Sequence, residues 1–459
     1  MTRNQVLRCV WFAATIGLSM MSTRSGIAVT EPVRTWNMIA AQAQLTAGEN
    51  GIVSSRTLAI AQVAVHDALN AIDSRYERYA FTGEAPLGAS VEAAVATAAR
   101  DALVGAISVG ALPFAGFGSP AQQAAAVAAI NDAYNSTLAG IPDDVSRSDG
   151  VAVGHAAAAA ILARRSTDHA TVLVAYIPGT RPGDWQPPPN PVPFDPPAAA
   201  DRLPAVLPGW GQVAPFVLRR STQFEPDGPP RLTSRRYARD YNEVKEIGSK
   251  GSVTRTAEQT SIARFWFEGS PAGWSRIART AAASQGLDSW QTARLLALAN
   301  LAMADGFIAG FQTKYEFNFW RPVTAIRAGD SDGNDFTLPD PAWSSLLNTP
   351  AIPDYTSTHS VLGGAAAEVL RRFFHRDHIA FTVTSGAPFP GLTRSFTGFS
   401  EAAQENGDSR VYAGIHFRSA VTDGLAQGKR IGGFDFEHSL RSVDNRDEDE
   451  DGDEQESDR

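Results

Sequence analysis

Fifteen of the chain's 28 prolines fall between Pro178 and Pro230. Proline lacks a backbone donor and breaks helices, so this stretch cannot continue the helical pattern found on either side of it. It reads as an extended, irregular excursion over the surface or across a mouth. Its aromatics Trp185, Phe194, Trp210 and Phe216 predict packing against a core rather than a free linker. From about residue 33 to 170, apolar positions recur every three to four residues. The run from Arg56 to Ile72, opened by Ser54-Ser55, carries this period, and Ala-rich segments at 91–108, 120–138 and 148–165 repeat it. Small Ala side chains let such helices approach closely. The helical period resumes at 257–268, 274–284, 288–320, 358–374 and roughly 415–432. There is no internal repeat of 20–50 residues and no alternating stretch long enough for a large sheet. The expected fold class is therefore all-α: two helical bundles, at 29–175 and 257–442, joined by a Pro-rich irregular connection at 176–256.

The ends of the chain differ from its body. Arg3 and Arg8 precede an apolar run from Cys9 to Met21, and Gly26-Ile27-Ala28 offers small residues for cleavage, the layout of a secretory signal over residues 1–28. A secreted or periplasmic location is the corresponding expectation. Cys9 is the only cysteine, so an intrachain disulfide, a thiolate zinc site and a cysteine-held iron–sulfur cluster are all excluded. Any metal must use nitrogen or oxygen ligands, which turns attention to the eight histidines. The net charge of −9 argues against a general nucleic-acid coat. Most of that charge is local, since residues 444–459 hold ten acids against two arginines and read as a disordered acidic tail starting near 443. No later segment has eighteen uninterrupted apolar residues, so integral membrane insertion is not expected. Oligomeric state is not readable from the sequence.

Three segments of the second helical half gather cations and imidazoles. In Lys314-Tyr-Glu-Phe-Asn-Phe-Trp-Arg321-Pro322, the two cations are seven residues apart, two turns of one helix, and Pro322 places Arg321 toward its end. Two cations over a common cavity need an anion. In Tyr355-Thr356-Ser357-Thr358-His359-Ser360, a Ser/Thr cluster opens an apolar periodic run, the mark of a helix N-terminus whose free N–H groups bind oxyanions. Ser409-Arg410-Val-Tyr-Ala-Gly-Ile-His416 reads as a loop entering a helix near Gly414, which puts His416 at a helix start, where the dipole keeps a nitrogen lone pair available.

Together the pattern Lys-x6-Arg-Pro, Ser-x-His and Ser-Arg-x5-His resembles the three-part motif of the vanadium-dependent haloperoxidases and the related type 2 phosphatidic acid phosphatases. His66-Asp67-Ala-Leu-Asn-Ala-Ile, Pro229-Pro230-Arg-Leu and Arg255-Thr-Ala-Glu-Gln259 are further similar to the secreted bacterial haloperoxidase-like branch. The resemblance implies an active site in the C-terminal bundle and vanadate as cofactor. It implies an oxyanion cage of Lys314, Arg321, Ser357, the Thr358 N–H and Arg410, with His416 as the vanadium ligand and His359 and Lys314 acting in catalysis. Hydrogen peroxide, a halide and a small organic acceptor are the partners it implies, with a His-bound peroxovanadate oxidising halide to hypohalous acid. The same cage serves a secreted acid phosphatase, in which His416 forms a phosphohistidine and His359 protonates the leaving group. The large N-terminal helical half and the Pro-rich wrap favour the haloperoxidase.

Two positions depart from the motif. Thr358 stands where the phosphatase form has Gly, and can offer its N–H only with a negative φ. Ala420 stands where an orienting Asp is expected four residues after His416, leaving Asp423 as the nearby substitute. These departures are the support for a third reading, an anion-binding helical protein without catalysis. Among lesser candidates, His66-Asp67 lies among apolar neighbours and reads as a buried structural pair. Asp330-Ser-Asp332-Gly-Asn334-Asp335 has the oxygen content of a calcium loop without its Gly and Glu positions, and reads as a solvated turn.

Overall fold

Many helix starts in this chain are written by side-chain caps. The computed structural model describes residues 31–109, 118–172, 174–187 and 205–443, without the side chains of 108 and 109. The signal-like segment, Phe194 and the acidic tail lie outside those residues. In the first half, α1 (Pro32–Ala47) starts on the Glu31 carboxylate and α2 (Gly51–Ile72) on Asn50, whose Oδ1 accepts from the Ile52 and Val53 N–H groups at 3.0 Å each. α3 (Val91–Val109), α4 (Pro120–Ala139) and α5 (Val145–Arg164) complete this half; α4 carries a Ser119/Gln122 capping box. α2 is buried on all sides except at Gly51, enclosed by α3, α5 and α9 (Ser289–Phe317).

The Pro-rich segment is irregular where it is described, apart from a single 3-10 turn at Trp210–Gln212, and Trp185, Trp210 and Phe216 are buried as expected. Within the stretch expected to be extended throughout, Ser234 caps a further helix, α6 (Arg235–Ile247). It forms because Tyr237, Ala238, Tyr241 and Val244 make one apolar stripe at helical spacing.

The second half contains α7 (Ala257–Phe265), α8 (Ser270–Ser284), α9, α10 (Pro322–Arg327), α11 (Thr358–Phe373), α12 (Phe399–Tyr412) and α13 (Arg418–His438). A hairpin of β1 (Phe381–Thr384) and β2 (Thr393–Phe396), paired antiparallel with Phe381 opposite Phe396, is the sole sheet among the described residues. The all-α class holds. α9 begins on an Asp288/Gln291 capping box and runs through the centre, meeting α2 on one side and α8, α11 and α13 on others. By length and composition α9 could cross a membrane, yet 94% of its apolar window is buried inside this fold. α11 and α13 pack closest: a Cβ at Gly428 would collide with the Val361 carbonyl. One hydrophobic cluster runs from Val33 to Leu440, so residues of both halves share a core.

Buried carboxylates tie loops to this core. Asp67 of α2 accepts from the N–H groups of Tyr79, Ala80 and Phe81 at 2.7–2.9 Å and lies 3.1 Å from His66 Nδ1. Asp305 of α9 does the same for Phe216, Val217 and Leu218 at 2.6–2.8 Å, pinning the end of the Pro-rich segment. The 330–335 turn is not simply solvated. Asp332 and Asn334 are buried; Asp332 accepts from Thr337 within the turn, while Asn334 Nδ2 donates to the Leu232 and Ser234 carbonyls and so anchors the approach to α6.

Candidate active site

The three segments converge, though not by the route their spacing suggests. α9 ends at Asn318, which adopts a left-handed φ of 47°, and Arg321 is the residue preceding α10, with Pro322 in its first turn. Lys314 therefore lies on α9, whereas Arg321 caps the start of α10 in extended backbone. Proline at the first helical position uses the place where its missing N–H costs nothing, so Pro322 begins a helix rather than ending one. The reading of His416 needs a smaller adjustment. Arg410 lies in the last turn of α12, Gly414 makes the turn with φ +79°, and His416 stands two residues before α13.

Around this junction the polar contacts interlock. Lys314 Nζ donates to the Pro353 and Asp354 carbonyls, both at 2.9 Å. Arg321 Nε donates to Ile352 O and Nη1 to Ile415 O, each at 2.7 Å, and Nη1 also stands 2.9 Å from His416 Nε2. Guanidinium has donors only, so Nε2 is the acceptor and the proton of a neutral His416 sits on Nδ1. That Nδ1 lies 3.0 Å from Asp354 Oδ1, a close approach without hydrogen-bond geometry, and the same oxygen is 3.9 Å from Arg321 Nη1. Arg410 Nη1 donates to Trp266 O at 3.0 Å, with its guanidinium 5.5 Å from the Phe267 ring centre.

Ser357 caps α11: its Oγ takes the Ser360 N–H, and its own N–H goes to Ala420 O at 2.9 Å. Thr358 is the first residue of that helix and has no positive φ, so its N–H has the orientation required of it. His359 keeps some solvent exposure, and its Nε2 is 3.3 Å from the Glu268 carbonyl. Asp423 does not orient His416. One turn of α13 beyond position 420, it accepts instead from Tyr355 Oη at 2.8 Å and from Arg236 at 3.2 Å. Asp354, which no motif identified, has the place beside the ring instead; an acid in Pro353-Asp354-Tyr355, just ahead of the Ser-x-His segment, was the signal available.

Lys314, Arg321 and Arg410 are all buried, with Asp354 as the carboxylate in contact among the described residues. Burial lowers Arg321 to about 10 and Arg410 to about 9, in the latter with help from Arg321. Lys314 is pushed well below its usual value by burial and then by Arg321. His416 and His359 are pushed well below the usual histidine value, first by burial and then by Arg321 and Arg410 respectively. Burial raises Asp354 to about 7 against the pull of Arg321 and Lys314. Two guanidinium donors, Arg321 Nη2 and Arg410 Nε, are buried with no protein acceptor. Buried cations short of acceptors, beside a helix N-terminus and a neutral imidazole, can hold a tetrahedral oxyanion.

An all-α body in which buried cations outnumber their acceptors has side chains suited to an oxyanion, and comparison with known proteins narrows the class. The family model of the VCPO second helical-bundle domain matches residues 294–445. The crystal structure of a bacterial vanadium-dependent iodoperoxidase superposes with a TM-score of 0.73 at 27% identity, covering 90% of this chain and 97% of that one. A holo-type bacterial vanadium-dependent chloroperoxidase shares the fold, with a TM-score of 0.69 at 19% identity over 87% of this chain and 94% of that one. Vanadium chloroperoxidase of Curvularia inaequalis is 25% identical over 275 residues, 46% of this chain. The match spans 45% of that relative, under half its length. These likenesses together support the vanadium haloperoxidase superfamily for this chain.

Proposed function

We propose that this protein is a vanadate-dependent haloperoxidase that oxidises a halide with hydrogen peroxide to hypohalous acid. The observation that carries the reading is the surplus of buried donors: Arg321 Nη2 and Arg410 Nε face no protein acceptor beside a fully buried Lys314. A multiply charged oxyanion removes the desolvation cost of all three cations at once. Arg321, Arg410, Lys314, Ser357 and the Thr358 N–H would hold vanadate, and His416 Nε2 would be its nitrogen ligand. Bound there, vanadate supplies the Lewis acidity that activates peroxide toward halide.

The chain's own residues set the conditions for that chemistry. His416 is kept neutral by burial and by the cations around it, so Nε2 keeps a lone pair, which Arg321 Nη1 engages at 2.9 Å and an anion's central atom would have to take over. His359, also neutral and partly open to solvent, can take a proton at a ring nitrogen and return it. Lys314 is held by the Pro353 and Asp354 carbonyls at the inner wall of the site, where an anion would raise its affinity for a proton. The test is to load purified protein with orthovanadate and follow bromination, chlorination and iodination of a phenolic dye with peroxide. Vanadate-dependent halogenation lost in His416→Ala is the expected result. Phosphomonoester turnover with no vanadate-dependent halogenation would instead assign the cage to a phosphatase.

A further inference from the structure

His416 has two ring nitrogens and the site needs one particular division of labour between them. Nε2 faces Arg321 Nη1 at 2.9 Å, while Nδ1 faces Asp354 Oδ1 at 3.0 Å. The Nδ1–Oδ1 approach is a close contact without hydrogen-bond geometry; Oδ1 also has Arg321 Nη1 at 3.9 Å, and Asp354 is fully buried. The carboxylate sits on a segment held from both sides: the Asp354 N–H donates to Phe319 O at 2.8 Å, and its carbonyl accepts from Lys314 Nζ at 2.9 Å. On α13, position 420 is a buried Ala, and Asp423 is taken by Tyr355 and Arg236. No other carboxylate among the described residues contacts the imidazole.

We infer that Asp354 is the positioning residue for His416: from the segment ahead of α11 it supplies the carboxylate that α13 lacks at position 420. It holds the imidazole with its proton on Nδ1 and so presents Nε2 toward the oxyanion pocket. This inference rests on the haloperoxidase reading only in naming vanadate as the group that Nε2 meets. Partners that orient a metal-ligating imidazole change affinity for the ligated group by about 10- to 100-fold when removed. An anion held by the cage alone, without a bond to nitrogen, should not feel that loss. It should bind as well or better, because a negative charge near Lys314 and Arg321 is gone.

The experiment compares Asp354→Leu and Asp354→Asn with the unaltered protein, using orthovanadate and inorganic phosphate as probes. Imidazole 15N chemical shifts are recorded before either anion is added. The expected result is an Nδ1-protonated His416 in the unaltered protein and a mixed tautomer in Asp354→Leu. Vanadate affinity should be about 10- to 100-fold weaker in that variant, with phosphate affinity undiminished. Asp354→Asn, which keeps an oxygen acceptor, should recover part of both. Unchanged 15N shifts in Asp354→Leu would overturn the inference, as would equal losses for vanadate and phosphate, the mark of a collapsed cage. If the unaltered protein binds phosphate but not vanadate, the haloperoxidase reading fails, and the tautomer measurement still decides the role of Asp354.

Discussion

Two regions of this molecule bury charge in opposite ways. On α2, Asp67 is surrounded by donors: three consecutive backbone N–H groups and His66 Nδ1 converge on its two oxygens. At the junction of α9, α10 and α12, three cations are buried with too few acceptors, and two guanidinium nitrogens have none. Burial of charge is common to both regions and does not tell them apart. Satisfaction does: the carboxylate is a finished piece of structure, whereas the cations are a half-complete set awaiting an anion.

The comparison breaks most visibly at Asp67. Asp67→Ala leaves three partly buried N–H groups without their acceptor and a cavity in α2, so we expect a loss of about 3 kcal/mol in denaturant unfolding with vanadate affinity unchanged in the protein that remains folded. A large drop in affinity there would erase the distinction. Arg410→Met tests the opposite region. Anion affinity should fall about 100-fold, while stability stays level or rises by about 1 kcal/mol, because an under-partnered buried cation is replaced by an apolar chain of similar length.

The pH dependence of stability follows from the imidazoles. Both have folded values depressed well below the ordinary 6.5, so below that pH the unfolded chain takes up protons that the folded chain refuses. Stability from keeping them neutral is present above 6.5 and is lost as pH falls, by up to about 1.4 kcal/mol per pH unit for each group. A His359→Asn, His416→Asn double variant should show a shallower decline of thermal midpoint between pH 7 and 5 than the parent. The smallest effect belongs to Asp423→Asn. Its contacts to Arg236 and Tyr355 are partly exposed, so stability should change by less than about 1 kcal/mol and halogenation should not change.

Much of this arrangement could be read from residue patterns, and the failures share a cause. The long helices announce themselves through apolar period, but their starts do so less well: Ser54-Ser55, which read as the opening of the second helix, lie inside α2, which Asn50 caps. The three segments could be singled out because their identities and intervals are restrictive, and the structure brings them together. What escaped was local geometry where the chain turns. The left-handed Asn318 that separates Lys314 from Arg321 looks like any polar residue near a helix end, and seven-residue spacing says nothing about whether a helix continues across it. Asp354 escaped for a related reason. It lies on an irregular segment with no period, and its meeting with His416, 62 positions later, is decided by how α11 and α13 pack. α6 was hidden by the prolines before it, which set an expectation of extended chain that the Tyr237/Tyr241 stripe overrides.

The enclosure of α2 bears on how this protein can be divided. Nearly every side chain of that helix is covered, and one of the surfaces covering it belongs to α9, the helix whose far end carries Lys314. A C-terminal fragment beginning near residue 257 would include every residue of the proposed site and still expose the flank of α9 that α2 seals. Modularity in this chain is a property of its residue patterns and not of its solubility: the smallest piece worth producing is the one that keeps both halves of the shared core.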